Sequence, residues 1–253
     1  MGFQMCARLT DKRVLITGAS GGIGAAMAAL FASSGAAVGL HYHRGRRAAF
    51  SLHRQILRRG GIAECFQADL AAPGAAQALM QAFLHRFHRI DVLINNAGAV
   101  IDPQGFTELT EAGWDQTLAL NAKAPCFLAQ AAFRAMKRQR GGKIINISSI
   151  AAKYGGSAAT LHYGAAKAAL DALTIGMARV GAPYNILVNS IRPGVIQTAF
   201  HRKIGRTSLS RRVALTPLRR AGAPLDVARA ALFLASEAGD YITGVMLPVA
   251  GGD

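Results

Sequence analysis

Short apolar runs alternate with longer amphipathic stretches along the 253-residue chain. The apolar runs are rich in Val, Ile and Leu, which is typical of buried strands, and the stretches between them are long enough for helices. Seven strands are predicted, over residues 14–16, 37–42, 62–67, 91–98, 143–149, 186–191 and 246–249. Helices are predicted over residues 25–34, 48–58, 75–87, 112–140 and 225–236, with one more through 163–167 that ends near 180.

Alternation of strands and helices is typical of an α/β fold, in which helices cover both faces of a parallel sheet. We therefore predict one doubly wound, seven-stranded domain over residues 1–253, with residues 1–9 as an N-terminal extension. The helix over 112–140 contains Asn121 and Pro125. We expect it to bend there, because proline lacks an amide hydrogen.

A glycine-rich turn follows the first predicted strand directly and leads into a helix. It reads Thr17-Gly-Ala-Ser-Gly-Gly-Ile-Gly24. Glycines let the backbone approach a pyrophosphate closely, and a helix N-terminus offers free N–H groups and a favourable dipole. A glycine motif alone is weak evidence, but the order strand, turn, helix is the context that a dinucleotide site requires.

Polar residues and glycines also follow other predicted strands. Asp69, the stretch Asn95-Asn96-Ala97-Gly98, Ser149 and Pro193-Gly194 all lie at the carboxyl ends of strands. In a parallel sheet these ends share one edge, and ligands bind outside that edge. The sequence therefore predicts a single cleft that contains all of these groups.

Tyr163 and Lys167 are four residues apart, so on a helix they share one face. A nearby ammonium favours the phenolate and lowers the pKa of a tyrosine, which is ordinarily about 10. With Ser149 as a hydrogen-bond donor to a carbonyl oxygen, the three side chains could reduce a ketone or oxidise an alcohol. The alternative is an incidental Tyr and Lys on a surface helix, because this spacing is common by chance.

Composition argues against several classes of protein. A hydrophobic fraction of 51% argues against a disordered chain. Cys6, Cys65 and Cys126 are widely separated and lack metal-ligand spacing, so we expect reduced thiols in the cytoplasm, with neither a disulfide framework nor a metal site. The N-terminus lacks a signal segment and no apolar run is long enough to cross a bilayer, so we expect no membrane association.

These motifs, in this order, resemble those of the short-chain dehydrogenase/reductase superfamily over nearly the whole chain. The resemblance implies a Rossmann-like fold and hydride transfer between a nicotinamide cofactor and a carbonyl or alcohol carbon. The implied catalytic residues are Asn121, Ser149, Tyr163 and Lys167. The candidate cofactor-binding residues are Gly18, Ser20, Gly22, Ile23, Gly24, Tyr42, His43, Arg44, Asp69, Leu70, Asn95, Ala97, Gly98, Tyr163, Lys167, Pro193, Gly194, Ile196 and Thr198.

The resemblance also implies the role of each catalytic residue. Tyr163 gives a proton to the developing alkoxide, and Ser149 hydrogen-bonds the carbonyl oxygen. Lys167 lowers the pKa of the tyrosine and holds the ribose hydroxyls, while Asn121 anchors a water that links the lysine to solvent. Ser149 is preferred to Ser148, because strand alternation points only one of them into the cleft. A structural or capping Asn and a plain strand-end serine remain the alternatives.

The end of the second strand bears on the choice of nicotinamide. NAD-selective sites usually carry an Asp or Glu there, but residues 41–47 read His-Tyr-His-Arg-Gly-Arg-Arg and no acidic residue lies between Asp11 and Glu64. A 2′-phosphate would meet cationic groups, with Arg44 as the candidate for a bidentate contact. We predict that NADP(H) is preferred, with NAD(H) as a second possibility. Gly21 is a contrary sign, since NADP-preferring relatives often carry Arg there, and a solvated basic turn is the alternative.

The chain has a net charge of +16, and such a surface attracts acidic partners. Residues 198–222, the substrate lid by resemblance, contain eight basic side chains and no acidic one: His201, Arg202, Lys203, Arg206, Arg211, Arg212, Arg219 and Arg220. A second basic cluster, residues 137–140, ends the long helix in a place similar to where 3-oxoacyl carrier-protein reductases dock their carrier. We therefore predict a reductase of 3-oxoacyl groups on acyl carrier protein or coenzyme A. The alternative is that these arginines are merely solvated and that the substrate is a sugar, a steroid or another small carbonyl compound.

Two further classes of function compete with an enzyme. A regulator that binds nucleotide without catalysis is disfavoured by the complete tetrad. A nucleic-acid-binding role rests on charge alone, and no specific nucleic-acid partner is predicted because no nucleic-acid-binding motif is present. By resemblance we expect a homotetramer joined through the helices of Asn121 and Tyr163 and the C-terminal strand, although the Ala-rich face over 165–169 would equally suit the core of a monomer.

Overall fold

The seven predicted strands form one sheet whose neighbours all run parallel. The structure is a computed structural model that describes residues 8–205 and 208–253. The sheet order is β3-β2-β1-β4-β5-β6-β7, which confirms the predicted doubly wound α/β fold. The strands are β1 Arg13–Ile16, β2 Ala37–Tyr42, β3 Ile62–Gln67, β4 Val92–Asn95, β5 Gly142–Ile147, β6 Ile186–Pro193 and β7 Met246–Val249. The chain order switches between β1 and β4, and such a switch point opens a crevice at the carboxyl ends of the strands.

Helices connect the strands on both faces of the sheet. They are α1 Gly22–Ser33, α2 Arg46–Arg58, α3 Ala75–Phe87, α4 Glu111–Leu118, α5 Ala124–Gln139, α6 Ala151–Tyr154, α7 Leu161–Gly181, α8 Phe200–Lys203, α9 Ser210–Leu215 and α10 Pro224–Ala235. A π-helical turn, Ala119–Lys123, joins α4 to α5, and 3₁₀ turns cover Ala182–Tyr184 and Glu237–Gly239. No helix in residues 8–205 or 208–253 is long and apolar enough to span a membrane.

Two hydrophobic cores lie on opposite faces of the sheet. Phe31 of α1 and Val227 of α10 are fully buried in one core, and Phe83 of α3 and Leu128 of α5 are buried in the other. Each buried side chain of this size stabilises the fold by about 1.5–3 kcal/mol. Because both faces are covered, the central strands are largely buried, and β2 is buried along its whole length although it contains His41.

Several predicted boundaries were wrong by two or three residues, and local hydrogen bonds explain one of them directly. β4 ends at Asn95 rather than at residue 98, because the N–H groups of Asn96 and Ala97 donate to Thr17 Oγ1. β5 ends at Ile147, so the residues around 149 form a loop beyond the strand. α1 begins within the glycine turn, three residues earlier than predicted.

The long predicted helix is interrupted where proline and asparagine suggested a bend. It is divided into α4, the π-helical turn and α5. Pro125 lies in the first turn of α5, where its missing N–H costs little. Asn121 lies inside the π-helical turn, a form of bend that the proline alone does not predict.

Two segments of the chain refine the predicted domain limits. The expected N-terminal extension, residues 1–9, lies outside the described residues except for Arg8 and Leu9. Leu9 is buried in the core and its N–H donates to Ser34 O, so it belongs to the fold. Between β6 and α10 the chain forms the short helices α8 and α9, which the sequence pattern did not predict.

Candidate active site

The glycine turn between β1 and α1 borders a cleft of about 630 Å³. Gly18 and Gly22 have φ angles of +66° and +54°, a conformation that favours glycine. A Cβ on Gly24 would overlap the carbonyl oxygen of Gly18. No side chain of the described residues caps the N-terminus of α1 at Gly21. The first-turn N–H groups are therefore available to an anionic ligand in the cleft.

The end of β4 holds the glycine turn in place. Asn96 Nδ2 donates to the carbonyl oxygens of Thr17 (2.8 Å) and Gly18 (3.3 Å). Thr17 Oγ1 in turn accepts from the N–H groups of Asn96 and Ala97, both at 2.9 Å. These reciprocal bonds join the residues that follow β1 and β4 beside the switch point. The sequence placed Asn96 in the cleft as part of the 95–98 stretch, but Asn96 was not among the candidate cofactor-binding residues.

His41 is a second residue that was missed. Its buried ring accepts the Gly18 N–H at Nδ1 (3.1 Å), while Nε2 bonds Ala68 O (3.1 Å). Since a carbonyl only accepts, the proton lies on Nε2. Burial lowers the pKa of His41 to about 4, against an opposing effect of the Ala68 hydrogen bond. A histidine within an otherwise apolar strand was the available signal in the sequence.

The predicted adenosine end of the cleft is lined by two basic side chains, His43 and Arg44, and by one acidic side chain, Asp69. His43, Arg44, Asp69 and Leu70 line the cleft together with Ser20. His43 Nε2 lies 3.7 Å from Asp69 Oδ2, and both side chains are about half exposed.

Two candidate cofactor residues have side chains directed elsewhere. The ring of Tyr42 is buried and packs edge-on against Phe50, at 6.1 Å between centroids. Asn95 is buried, and its Nδ2 donates to Asn146 Oδ1 and to Pro125 O. Neither residue lines the cleft. The remaining candidates do line it or its neighbour: Gly18, Ser20, Gly22, Ile23, Gly24, His43, Arg44, Asp69, Leu70, Ala97, Gly98, Tyr163, Lys167, Pro193, Gly194, Ile196 and Thr198.

A second cavity of about 170 Å³ adjoins the cleft and contains Ser149, Tyr163 and Lys167. Ser149 lies beside Tyr163, where it favours the ionised form of the phenol, and its Oγ accepts the Ala151 N–H (3.1 Å). Ser148 is buried, and its hydroxyl donates to Lys167 O (3.2 Å). Ser149 therefore lies beside Tyr163, whereas the Ser148 hydroxyl is directed at the backbone of α7. Both serines follow the end of β5 at Ile147, so this difference arises in the loop and not from strand alternation.

Lys167 is almost fully buried on α7, and its ammonium donates to the carbonyl oxygen of Ile147 (2.8 Å) at the end of β5. Its Nζ lies 5.6 Å from the centroid of the Tyr163 ring. The two side chains thus share one face of α7, as their four-residue spacing predicts.

The resemblance implies that Lys167 lowers the pKa of Tyr163, but the largest influence on this tyrosine in the protein alone is burial. Burial raises the pKa of Tyr163 to about 12, partly offset by the hydrogen bond from Ser149. Burial likewise lowers the pKa of Lys167 to about 8, partly offset by Asp171. Desolvation is the dominant influence on both groups, and the Lys167 ammonium donates to Ile147 O.

Asn121 is fully buried in the π-helical turn beside Lys167. Its Nδ2 donates to Ala99 O (2.7 Å) and Thr117 O (2.8 Å). Its Oδ1 has no hydrogen-bond partner among the described residues. A Cβ built on Gly98 would lie 2.6 Å from this oxygen and 3.2 Å from Lys167 Nζ. Gly98 thereby leaves open a polar space that the asparagine and the lysine share.

The segment from 198 onward covers both cavities. Thr198 and Phe200 line the two of them, and the Phe200 ring lies 5.6 Å from the Tyr163 ring. The segment is tied at its base, where Gln197 N–H donates to Gly222 O and Gly222 N–H to Val195 O.

The basic side chains of this segment differ in exposure. His201 is buried and bonds Ile196 O, so it is not a surface cation. Arg212 lies 3.7 Å from Asp253, and Arg220 lies 3.3 Å from Asp226. Arg202 and Arg211 are exposed. Arg206 lies outside the described residues.

Residues 8–205 and 208–253 contain no cluster of His, Cys, Asp and Glu that could hold a metal ion. Cys65 and Cys126 are free thiols. Burial and the neighbouring Glu64 raise the pKa of Cys65 to about 11, which makes this thiol unreactive.

Known proteins with the same architecture give this geometry a context. The family profile described as Enoyl-(Acyl carrier protein) reductase matches residues 18–253. The chain is 37% identical over 247 residues to "3-oxoacyl-[acyl-carrier-protein] reductase FabG" of Chlamydia pneumoniae, covering 96% of this chain and 97% of that protein. It is 39% identical over 251 residues to "L-rhamnose 1-dehydrogenase (NAD(P)(+))" of Azotobacter vinelandii, covering 96% and 97%.

A solved structure shares the fold over the whole chain. It is a 7α-hydroxysteroid dehydrogenase complexed with NADH and 7-oxo glycochenodeoxycholic acid, with a TM-score of 0.92, 32% identity and coverage of 100% of this chain and 98% of that one. Together with the family profile and the two relatives, this likeness shows that the chain is an oxidoreductase of the short-chain dehydrogenase/reductase superfamily.

Proposed function

We propose that this enzyme uses NADPH to reduce the 3-oxo group of an acyl chain carried by an acyl carrier protein or by coenzyme A. The observation that carries the proposal is the convergence of Ser149, Tyr163 and Lys167 in a cavity that adjoins a glycine-lined cleft and lies under an arginine-rich segment. The proposal of an acidic carrier is supported by the positive charge of this chain. The similar protein from Chlamydia pneumoniae is named for a reaction on such a carrier.

The residues present fit a dinucleotide. The open N-terminus of α1 suits a pyrophosphate, because its N–H groups and dipole favour an anion. Asp69 and Leu70 lie at the predicted adenine end, while Pro193, Gly194, Ile196 and Thr198 lie at the nicotinamide end. The chemistry supplied by a bound nicotinamide is hydride transfer to or from the substrate carbon.

We assign the proton chemistry to three side chains. With its pKa raised to about 12, Tyr163 is neutral near pH 7 and is a proton donor for the alkoxide formed on reduction. Ser149 lies beside that tyrosine in the same cavity and is placed to donate a hydrogen bond to the substrate oxygen. Lys167 and the free Oδ1 of Asn121 border one polar space, through which a proton can be resupplied to the tyrosine.

Arg44 and His43 are the proposed contacts of the 2′-phosphate. Both border the cleft beside Ser20, and their region carries no acidic side chain except Asp69. An arginine fork binds phosphate bidentately, whereas a 2′-hydroxyl needs an acceptor such as a carboxylate. Asp69 already lies 3.7 Å from His43, so NADP(H) is the proposed cofactor and NAD(H) a weaker one.

Charge around the cavity mouth supports an acidic substrate carrier. We propose that residues 198–222 act as the lid, with Arg202 and Arg211 exposed on it. The second basic cluster, residues 137–140, lies near the amino ends of the strands, because Gln139 hydrogen-bonds the backbone of Ile90 just before β4 begins. The cleft lies at the opposite, carboxyl ends.

The second candidate function is oxidation or reduction of a small carbonyl compound. The Azotobacter relative is named for a sugar and the solved structure holds a steroid ligand. The cavity beside Tyr163 is only about 170 Å³ and is partly closed by Phe200 and His201, a size that suits the reacting end of a substrate.

The test is NADPH consumption with acetoacetyl-CoA and acetoacetyl carrier protein, alongside L-rhamnose, a 7-oxo bile acid and small ketones, with NADH in parallel. Turnover of the thioesters that weakens in Arg211→Ala and not in Arg58→Ala, an exposed arginine at the far end of α2, supports the proposal. Activity confined to the small compounds would reject the carrier and leave the second candidate. If binding of the carrier protein is the same in Arg138→Ala and Arg140→Ala, the 137–140 cluster has no docking role.

We also propose a homotetramer in the cytoplasm. Exposed apolar side chains on the helices of Asn121 and Tyr163 support self-association: Trp114, Phe127, Ile175 and Val180. Sedimentation velocity at micromolar concentration is expected to give the tetramer mass, and a monomer mass would contradict it.

A further inference from the structure

A buried carboxylate lies one helical turn beyond Lys167, and the proposed reaction gives it no role. Asp171 follows Lys167 on α7 at the same spacing by which Lys167 follows Tyr163, so the three side chains share one face. Asp171 is 4% exposed. Its Oδ1 accepts from Ser190 Oγ (2.8 Å), and its Oδ2 accepts from Arg192 Nε (2.7 Å).

The partners of Asp171 come from the neighbouring strand. Ser190 and Arg192 alternate along β6, so both face α7. Ser190 is fully buried, while the Arg192 side chain keeps 24% of its surface exposed. Both oxygens of the Asp171 side chain are therefore hydrogen-bonded, one of them by a guanidinium. α7 therefore places a phenol, an ammonium and a carboxylate in sequence, and β6 adds a guanidinium at the end of the row.

Few charged groups other than Asp171 lie close enough to Lys167 to influence its protonation. It is 2% exposed and bonds a neutral carbonyl, Ile147 O. Burial lowers the pKa of Lys167 to about 8, and the charge of Asp171 acts in the opposite direction.

The other groups that face Lys167 are uncharged: the Tyr163 hydroxyl and the Asn121 amide. The remaining charged side chains on the elements packed against α7 are exposed to solvent or, for Lys143, paired with Asp240: Glu111, Asp115, Lys123, Arg134, Lys137, Arg138, Lys143 and Lys153. Within α7 itself, His162 is buried and bonds Ile101 O, and Arg179 is exposed.

We infer that Asp171 and Arg192 are positioning residues that together set the fraction of Lys167 present as ammonium. Asp171 favours the ammonium, and Arg192 weakens that effect by neutralising the carboxylate. The inference rests on the proposed roles of Tyr163 and Lys167, since a charged lysine is what favours the phenolate needed in alcohol oxidation. In the competing explanation, Asp171, Ser190 and Arg192 only hold α7 against β6 and do not influence the protonation of Lys167.

The two explanations differ in the sign of their effects. Removal of the carboxylate charge in Asp171→Asn should lower the titration midpoint of Lys167, whereas removal of the guanidinium in Arg192→Gln should raise it. A structural tie predicts loss of stability in both variants with no opposite movement. The deciding measurement is carbon NMR of protein labelled at lysine Cε, in which the Lys167 signal is assigned by its loss in Lys167→Arg.

We expect the midpoint to fall by about one pH unit in Asp171→Asn, within the range for loss of a nearby opposite charge. In Arg192→Gln it should rise by about half a unit. In Asp171→Glu and Arg192→Lys, which keep the charges, the Lys167 midpoint should stay near the wild-type value. These two variants are compared with Asp171→Asn if Arg192→Gln does not fold. Arg179→Gln, which removes an exposed charge from α7, is the matched control and should change nothing. Equal midpoints, or shifts of the same sign, would overturn the inference.

The pH profile of alcohol oxidation gives the catalytic readout. The ascending limb of kcat/KM should move to higher pH in Asp171→Asn and to lower pH in Arg192→Gln. Absence of turnover in the wild type would reject the proposed function while the NMR result still decides the charge relation. Opposite NMR shifts with identical pH profiles would contradict the catalytic role of the pair.

Discussion

At the scale of single residues, burial and hydrogen-bond partners decide what a polar side chain can do. Ser148 and Ser149 are chemically identical in the sequence. In the structure one hydroxyl is buried against Lys167 O and the other lies beside Tyr163. Strand alternation could not decide between them, because β5 ends at Ile147 and both serines lie in the loop that follows. The pKa of Tyr163 could not be predicted either, because it depends on the desolvation that the lid and α7 impose.

Tyr163→Phe should reduce kcat by about 100- to 10,000-fold, the range expected for the loss of a general acid. The Kd of NADPH, measured by fluorescence, should change by less than about twofold, because only the hydroxyl is removed. Tyr184→Phe is the matched control, since Tyr184 is exposed and packs with Lys137. More than a tenth of wild-type turnover in Tyr163→Phe would refute the assigned role.

Arg44→Ala should raise the Kd of NADPH by about 10- to 100-fold, because one charge-assisted hydrogen bond contributes about 1.5–3 kcal/mol. The Kd of NADH should change by less than about twofold, since NADH lacks the 2′-phosphate. Calorimetric titration of both cofactors measures this difference, with Arg58→Ala as the control. An equal loss for both cofactors would show that Arg44 supports the turn without reading the phosphate.

At the scale of elements, the ends of strands and helices carry the site. Thr17 at the end of β1 bonds the residues that follow β4, and Asn96 bonds back to the glycine turn. Local sequence predicts that a turn occurs here and that it is glycine-rich. It does not predict that β4 stops early, because the partner that takes its N–H groups lies 79 residues away.

Gly24→Ala should destabilise the protein by about 1–3 kcal/mol, because its Cβ would overlap Gly18 O and force the turn to shift. For a chain of this length that corresponds to a fall in Tm of roughly 2–12 °C. Gly21→Ala is the control, since nothing lies within 4 Å of a Cβ there and its φ is extended. Thermal unfolding without cofactor tests this, and equal Tm values for the two variants would contradict it.

At the scale of the whole molecule, His41 joins three strands of the sheet. It lies on β2, accepts from the turn after β1 and bonds the residue that follows β3. Protonation would place an N–H against the Gly18 N–H, so the fold requires the neutral ring. No single stretch of sequence shows this, because the three contacts come together only through the parallel sheet.

Acid should therefore weaken the fold through His41. Its folded-state pKa is lowered to about 4 from an ordinary value of 6.5, so the unfolded chain binds the proton more readily. The corresponding stability is present above pH 6.5 and is lost as pH falls toward 4, by about 2 kcal/mol between pH 7 and 5. Urea unfolding at both pH values measures this loss. His41→Gln should show a smaller loss, and an equal loss in both proteins would contradict the assignment.

The strands along the chain, the α/β class, the glycine turn and the helix face shared by Tyr163 and Lys167 could all be predicted from the amino-acid sequence, because they depend on local periodicity and spacing. Other relations became visible only in the folded chain: Tyr42 and Asn95 turn into the core, Asn96 and His41 hydrogen-bond the glycine turn, and Arg192 pairs with Asp171 one helical turn beyond Lys167. These relations join residues far apart in the chain. The energies of these contacts depend on how deeply the side chains are buried, and the periodicity of the sequence does not give that depth.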